Sequence, residues 1–213
     1  MHAVRISSAA FGTLCGLTGI IAGAFLILQG DSSVNAVKIS YIGPEYRMWE
    51  HETYVAFTLI PNYILSGLTT LIISITLVYI SLFKLHKRYG SIVFLVLSVL
   101  QLFTGGGFVI DLALITFLLS FGIRSKLKVW TRIFSNKLGK FLAVLWFPAL
   151  IFYLGLSVAM LALTIAGTNK SYFMELMVVL ATIMFLPIIL MIFGSLAYEV
   201  KKNPSNLYDK KDI

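Results

Sequence analysis

The stretch "LQLFTGGGFVIDLALITF", residues 100–117, decides the fold, because three consecutive glycines interrupt an otherwise apolar run. It lies within residues 91–123, which are 33 residues with Asp111 as their only charged residue. A single straight helix of that length would be about 50 Å long. A hydrocarbon core of about 30 Å would accommodate such a helix only at an extreme tilt. The chain is therefore predicted to turn back in a hairpin at Gly105, Gly106 and Gly107, since glycine permits the positive φ of a tight turn.

The composition predicts an all-α, polytopic membrane protein. Of the 213 residues, 59% are hydrophobic and 12% are charged, which is roughly half the charged fraction of an ordinary soluble domain. Apolar stretches of 18 or more residues recur along the chain, and each is a candidate membrane-spanning helix. We expect one integral membrane domain over residues 1–213, with a basic tail at 200–213. Its six helical segments are predicted at residues 9–29, 61–83, 91–104, 108–123, 141–167 and 173–198.

The distribution of basic residues favours the hairpin over one long helix. Segment 84–90 has three basic residues and no acid, and segment 124–140 has six basic residues and no acid. Cytoplasmic loops of membrane proteins are enriched in lysine and arginine. If residues 91–123 leave the membrane on the side where they enter, 14 of the 17 basic residues lie on one side. The rule then predicts that both termini are cytoplasmic, and the charge bias favours the plasma membrane of a prokaryote.

A stripe of glycines along the first helix is expected to serve close helix packing. Small residues at spacings of three and four allow two membrane helices to approach closely. Packing within the monomer is the simpler interpretation, and a face for a homo-oligomer or another membrane protein is the alternative. The stripe consists of Gly12, Gly16, Gly19 and Gly23.

Four polar residues in or beside the apolar segments are candidates for a ligand or ion site in the outer leaflet. A carboxylate inside an apolar segment is costly, about 2.5–3.5 kcal/mol at mid-membrane, so Asp111 should be neutral, paired or hydrated. In a binding site Asp111 would titrate or hold a cation, while neighbouring amides would orient the ligand. The alternative is that Asp111 only locks the hairpin, through Asn62 or Thr104. The candidates are Asp111, Asn62, Gln101 and Glu175.

Other residue patterns give no cofactor or metal site. Glu50-His51-Glu52 lacks the HExxH spacing of a zinc protease and is expected to precede a helix at the membrane surface. No phosphate-binding loop or nucleophile elbow is present, so an enzyme is not favoured. Cys15 is the only cysteine. The basic loop 124–140 interleaves cations with apolar side chains, which predicts contact with anionic lipid rather than with nucleic acid.

Three short strings are similar to a known pattern: "LQGD" (28–31), "TLIPNYILSG" (58–67) and "LFTGGGFV" (102–109). Together they resemble an uncharacterised family of small prokaryotic multi-pass membrane proteins, over residues 1 to about 125. Members of that family often have a proline soon after the glycine triplet, where this chain has Val109 and Ile110, so the resemblance does not imply a proline-stiffened turn. The resemblance implies a membrane protein, and it implies no catalytic residue because the family has no assigned activity.

Three functions remain open from the sequence. The leading hypothesis is a small transporter or channel-like component with an outward-facing polar pocket. The second is a non-catalytic accessory or structural membrane protein that packs against a partner. The third is an intramembrane enzyme that acts on lipid through Asp111 or the cluster at residues 50–52.

Overall fold

A computed structural model describes the greater part of the chain, and its regular elements are nearly all helical. The described residues are 3–34, 37–43, 55–87, 89–107, 110–122, 133–134, 137–166 and 172–202. Within these ranges the elements in chain order are α1 (Ala3–Leu28), β1 (Lys38–Ser40), β2 (Val55–Phe57), α2 (Tyr63–Phe83), α3 (Gly90–Phe103), α4 (Ile110–Gly122), α5 (Lys137–Ala166) and α6 (Tyr172–Lys202).

Four of these helices are long and apolar enough to cross a membrane. They are the segments Ala3–Leu28, Tyr63–Phe83, Lys137–Met160 and Val178–Lys202. The two remaining apolar helices, α3 and α4, have 14 and 13 residues, or about 20 Å each at 1.5 Å per residue. The composition is therefore that of a membrane-embedded protein in which a pair of short helices accompanies four long ones.

The helix bounds differ from the predicted ones mainly at polar ends. Helix α1 begins at Ala3, α5 begins at Lys137 and α6 continues to Lys202, because helical hydrogen bonding continues into the polar flanks where the apolar pattern stops. Helix α2 begins directly after Pro61 and Asn62, as expected from the proline.

A two-stranded ribbon is an element that the sequence did not predict. Strands β1 and β2 pair in antiparallel register, with Ile39 opposite Ala56. Each strand has only three residues, too few for an alternating pattern to stand out. Ile39, Ala56 and Leu26 form one small buried cluster, so the ribbon is fastened to the end of α1.

The chain divides into two compact units. Residues 8–121 form one, here called the hairpin unit, and residues 1–7 together with 122–213 form the other, here called the helix-pair unit. The prediction of a single membrane domain remains a prediction, and each unit is described by itself.

In the hairpin unit, α1 packs along α2 through the predicted glycine stripe. A Cβ added at Gly12 would lie 2.6 Å from Ser81 Oγ, and one at Gly23 would lie 2.9 Å from the backbone oxygen of Gly67. Between them, a Cβ at Gly16 would lie 2.6 Å from Val78 Cγ2. Positions increase along α1 while they decrease along α2, so the two helices are antiparallel.

The glycine triplet turns the chain back within the hairpin unit. Gly105 lies against Leu26 in the last turn of α1 and Ser66 in the first turns of α2. Thr116 of α4 lies against Gly12, near the other end of the α1–α2 contact. Helix α4 therefore returns along the length that α3 has crossed, and the turn reaches almost to the start of α2. Positive φ values of 102° at Gly105 and 77° at Gly107 make this reversal.

The helix-pair unit is built on the antiparallel packing of α5 and α6. A Cβ at Gly194 of α6 would lie 2.8 Å from the backbone oxygen of Leu142, so the two backbones are close. Near the same end the Trp146 and Tyr198 rings have centroids 5.4 Å apart. The buried carboxylate of Glu199 accepts a hydrogen bond from the backbone N–H of Ala3 at 2.8 Å. The first residue described in α1 is thus held by the last turn of α6.

Replacing Gly19 by alanine is predicted to destabilise the protein by about 2–4 kcal/mol, as an overpacked site that also loses buried hydrogen bonds. The new Cβ would overlap the side-chain nitrogen of Gln101, which cannot move without giving up its partners. The matched control is Gly155→Ala, where no described atom beyond the helix's own neighbouring backbone lies within 4 Å of the added Cβ. Helix propensity predicts a small gain in stability there. Thermal unfolding in detergent measures the stability of both variants. Equal melting temperatures would contradict the close packing of Gly19 against Gln101.

Candidate functional site

Gln101 is the central polar residue of the hairpin unit, and all its described hydrogen bonds are internal. Its side chain is fully buried. Its Nε2 donates to the backbone oxygen of Cys15 at 3.3 Å and to Ser74 Oγ at 3.1 Å. Its Oε1 lies 3.8 Å from the Cys15 thiol. Both amide hydrogens are therefore used, and Gln101 joins α3 to α1 and α2.

The hairpin turn is fastened to α2 through the carbonyl oxygen of Thr104. This oxygen accepts hydrogen bonds from Ser66 Oγ at 2.5 Å and from Thr70 Oγ1 at 2.6 Å. A carbonyl at the end of a helix has no partner in its own helix. Two donors fill both lone pairs of the oxygen. The end of α3 is thus satisfied by side chains of α2 and needs no water or ligand.

A cap formed by residues 29–43 and 55–62, as far as they are described, covers the turn. Thr58 pairs with Thr104 in an isolated β-bridge, and the N–H of Leu59 donates to the Phe103 oxygen at 2.9 Å. Gln29 donates to the backbone oxygens of Ser40 and Tyr41 at 3.2 and 2.8 Å. All residues from 104 to 107 are buried. The glycine turn therefore lies beneath protein rather than at an open pocket.

Asn62 serves the start of α2. Its Oδ1 accepts a hydrogen bond from the N–H of Leu65 at 3.0 Å, which makes it the N-cap of the helix. Its Nδ2 donates to Asp31 Oδ1 at 2.6 Å. Asn62 and Gln101, two of the four predicted ligand candidates, therefore bind separate sets of partners.

Asp111 is the candidate that points outward. It lies in the first turn of α4, where a carboxylate complements the positive end of the helix dipole. Its side chain is exposed, as are Leu114 and Leu118 on the same helix face at 46% and 66%. The structure thus places a carboxylate at the end of an exposed apolar stripe, one turn beyond the glycines.

Glu175 lies in the first turn of α6 and is exposed. It belongs to the helix-pair unit, whereas Asn62, Gln101 and Asp111 belong to the hairpin unit. Whether Asp111 or Glu175 binds a ligand stays a prediction.

Several predicted sites fall on residues that the structure does not describe. The Glu50-His51-Glu52 cluster lies outside the described residues, as do most of the basic loop 124–140 and the tail beyond Lys202. Among the residues described, no group of three or more His, Cys, Asp or Glu side chains could hold a metal ion.

A stripe of hydroxyl side chains on α2 was missed by the sequence analysis. Ser66, Thr70 and Ser74 recur every four residues, which places them on one face of the helix. All three are buried, and all three bond to α3 or to the residue that ends it. The spacing was visible in the sequence and indicates a face that receives another helix's polar groups.

Comparisons with protein-family models, curated proteins and solved structures find no match to this chain. The three strings that suggested a family nevertheless meet in space. Asp31 bonds to Asn62, Thr58 pairs with Thr104, and Ser66 bonds to Thr104. Each string thus contributes to holding the turn and its cap at one end of the hairpin unit.

Removing both donors to the turn, in the variant Ser66→Ala with Thr70→Ala, is predicted to lower stability by about 1–3 kcal/mol, because interhelical hydrogen bonds contribute about 0.6–1.7 kcal/mol each. The control is Thr69→Ala with Thr76→Ala, whose hydroxyls bond only to the backbone of α2 itself at Leu65 and Ile72. Thermal unfolding and protease resistance of the purified protein compare the two. An equal effect of both pairs would show that the Thr104 contacts do not hold the turn.

Proposed function

We propose that the chain is a non-enzymatic accessory membrane protein that binds a second membrane protein along the exposed face of α4. The observation behind this proposal is the position of Asp111. It lies on the same exposed face as Leu114 and Leu118, while the nearby amides and hydroxyls are bonded inside the unit.

The energetics of an exposed carboxylate on an apolar face favour a partner. Placing a carboxylate beside lipid hydrocarbon costs free energy, and this cost falls when a cation or a hydrogen-bond donor lies next to the carboxylate. Thr116 of α4 lies against Gly12, and Asp111 is about 7.5 Å nearer the turn at 1.5 Å per residue. Asp111 is therefore level with the middle of α1, well inside the apolar length. The partner that fits is a membrane helix with an arginine, lysine or other donor at the depth of Asp111 and small or apolar residues beside Leu114 and Leu118.

A transporter is the second candidate, and Asp111 also supports it. An exposed carboxylate inside the apolar length is a group that a cation or proton carrier would use. The accessory function is favoured because Asn62 and Gln101 already bond within the protein. They are therefore not available to orient a transported ligand without breaking the hairpin unit apart.

We further infer an orientation with both termini in the cytoplasm, in the plasma membrane of a prokaryote. The reversal of α3 and α4 supports it, because the ends of both short helices away from the turn then lie on the side of Lys84 and Lys87. This arrangement collects the basic segments 84–90 and 124–140 on one side, as the positive-inside rule requires.

The accessory function predicts a specific crosslink at α4. A benzophenone side chain in place of Leu118 should form an adduct of discrete mass in native membranes. The same group in place of Ile72, which is equally exposed at 67% on α2, should label only lipid. Replacing Asp111 by asparagine should reduce the Leu118 adduct about three- to tenfold, the effect of losing one interhelical polar contact.

The outcomes separate the functions. An adduct with a second copy of this chain would make the partner a homo-oligomer. Lipid adducts alone at Leu118, combined with cation uptake into proteoliposomes that Asp111→Asn abolishes, would establish the transporter instead. Lipid adducts alone with no effect of Asp111→Asn would refute both functions.

The orientation predicts which positions an impermeant thiol reagent labels. In a Cys15→Ser background, single cysteines at Lys87 and Lys137 should react only from the cytoplasmic side. A single cysteine at Ser32, which is exposed at the opposite end of α2, should react only from outside. Labelling of the positions 87 and 137 from opposite sides would mean that α3 and α4 do not return to the same face.

A further inference from the structure

The helix-pair unit contains a groove whose lining changes from aromatic to cationic. The groove has a volume of about 570 Å³, within the range of ordinary small-molecule sites. It lies between α5 and α6 and is lined by Val144, Trp146, Phe147, Tyr198, Lys201 and Lys202. Three aromatic rings form one end of the lining, and two lysines in the last turn of α6 form the other.

At the aromatic end of the groove, the Trp146 ring packs against the two other aromatic rings. The Trp146 ring lies 5.6 Å from the Phe147 ring and 5.4 Å from the Tyr198 ring, measured between centroids. Trp146 is largely buried, whereas Val144 and Phe147 are 66% and 54% exposed. The groove therefore opens along an apolar face of α5, as an acyl chain would require.

The charge at this end of the unit is strongly positive. Because α5 and α6 are antiparallel, the start of α5 and the end of α6 lie together. The hydrogen bond from Ala3 to Glu199 brings the start of α1 to the same place. Glu199 is buried in that contact. Among the described residues there, the exposed charged side chains are all cations: Arg5, Lys137, Lys140, Lys201 and Lys202.

The groove also lies at the depth of a lipid headgroup. Lys201 and Lys202 end the apolar segment Val178–Lys202, which is long enough to cross a membrane. Tryptophan and tyrosine concentrate at the boundary between hydrocarbon and headgroups. Basic pockets between membrane helices on the cytoplasmic side suit anionic headgroups.

We propose that this groove binds an anionic phospholipid, with the phosphate at Lys201 and Lys202 and an acyl chain along Trp146 and Phe147. The proposal does not depend on the function assigned to α4, because it uses only residues of the helix-pair unit. It also differs from general attraction to the basic loop 124–140, since it assigns a defined site to two lysines.

The test uses Trp146 as a reporter in the full chain, after Trp49 and Trp130 have been replaced by phenylalanine. Quenching by brominated phosphatidylglycerol, which is anionic, is compared with quenching by brominated phosphatidylcholine, which is zwitterionic, in mixed micelles. The anionic lipid should quench at a lower mole fraction. Each lysine near the headgroup should contribute about fivefold to this preference at low ionic strength.

Two double variants remove equal charge from the same end of the unit. Lys201→Gln with Lys202→Gln should abolish the preference for the anionic lipid. Lys137→Gln with Lys140→Gln, which lie outside the groove lining, should leave most of it. Thermal unfolding of each variant shows whether the protein remains folded, since lysines in the last turn also complement the dipole of α6.

Each remaining outcome overturns the proposal. Equal quenching by the two lipids in the unmodified groove would show that it has no headgroup selectivity. An equal loss in both double variants would show diffuse surface attraction instead of a site. Displacement of the lipid by inorganic phosphate at low millimolar concentration would identify a site for a small soluble anion.

Discussion

The hairpin unit depends on one contact, the buried amide of Gln101 against the backbone of α1 at Gly19. An amide in an apolar interior is stabilising only when its donors and acceptor are bonded. The Gln101 amide finds the Cys15 oxygen and the Ser74 hydroxyl, and it reaches them only because position 19 has no side chain. This single contact fixes the relative depth of α1, α2 and α3. The turn at Gly105 and its bonds to Ser66 and Thr70 follow from that depth.

Polar groups in the hairpin unit therefore serve mainly to hold helices together, and Asp111 is an exception. In a membrane the hydrophobic effect does not drive one helix toward another, so close packing and hydrogen bonds take its place. Ser66, Thr70 and Ser74 supply those bonds from α2. Asp111 shares none of these roles and is exposed on an apolar face. In the helix-pair unit the contrast lies between Glu199, buried against α1, and the exposed cations around it.

The sequence was sufficient to predict a helical fold with helices long and apolar enough to cross a membrane, because length and apolar composition act locally. The sequence did not reveal which groups each polar side chain bonds to. Asn62 and Gln101 are both amides, yet Asn62 caps α2 whereas Gln101 joins α1, α2 and α3. That difference depends on the depth at which α1 passes α3, which no local pattern encodes. The three-residue strands are too short to show a period. No local pattern shows that Glu199 lies against the start of α1.

The bond between Ala3 and Glu199 joins residues 196 positions apart, and this separation has a consequence for how the protein is made. At about 5–20 residues per second, a ribosome finishes position 199 about 10–40 s after position 3. During that interval the hairpin unit can be completed, whereas the beginning of α1 has no carboxylate to receive its N–H. Of the described helices, α1 is made first and has its beginning closed last. Release of the chain before α6 is made would leave the N–H of Ala3 without the Glu199 carboxylate.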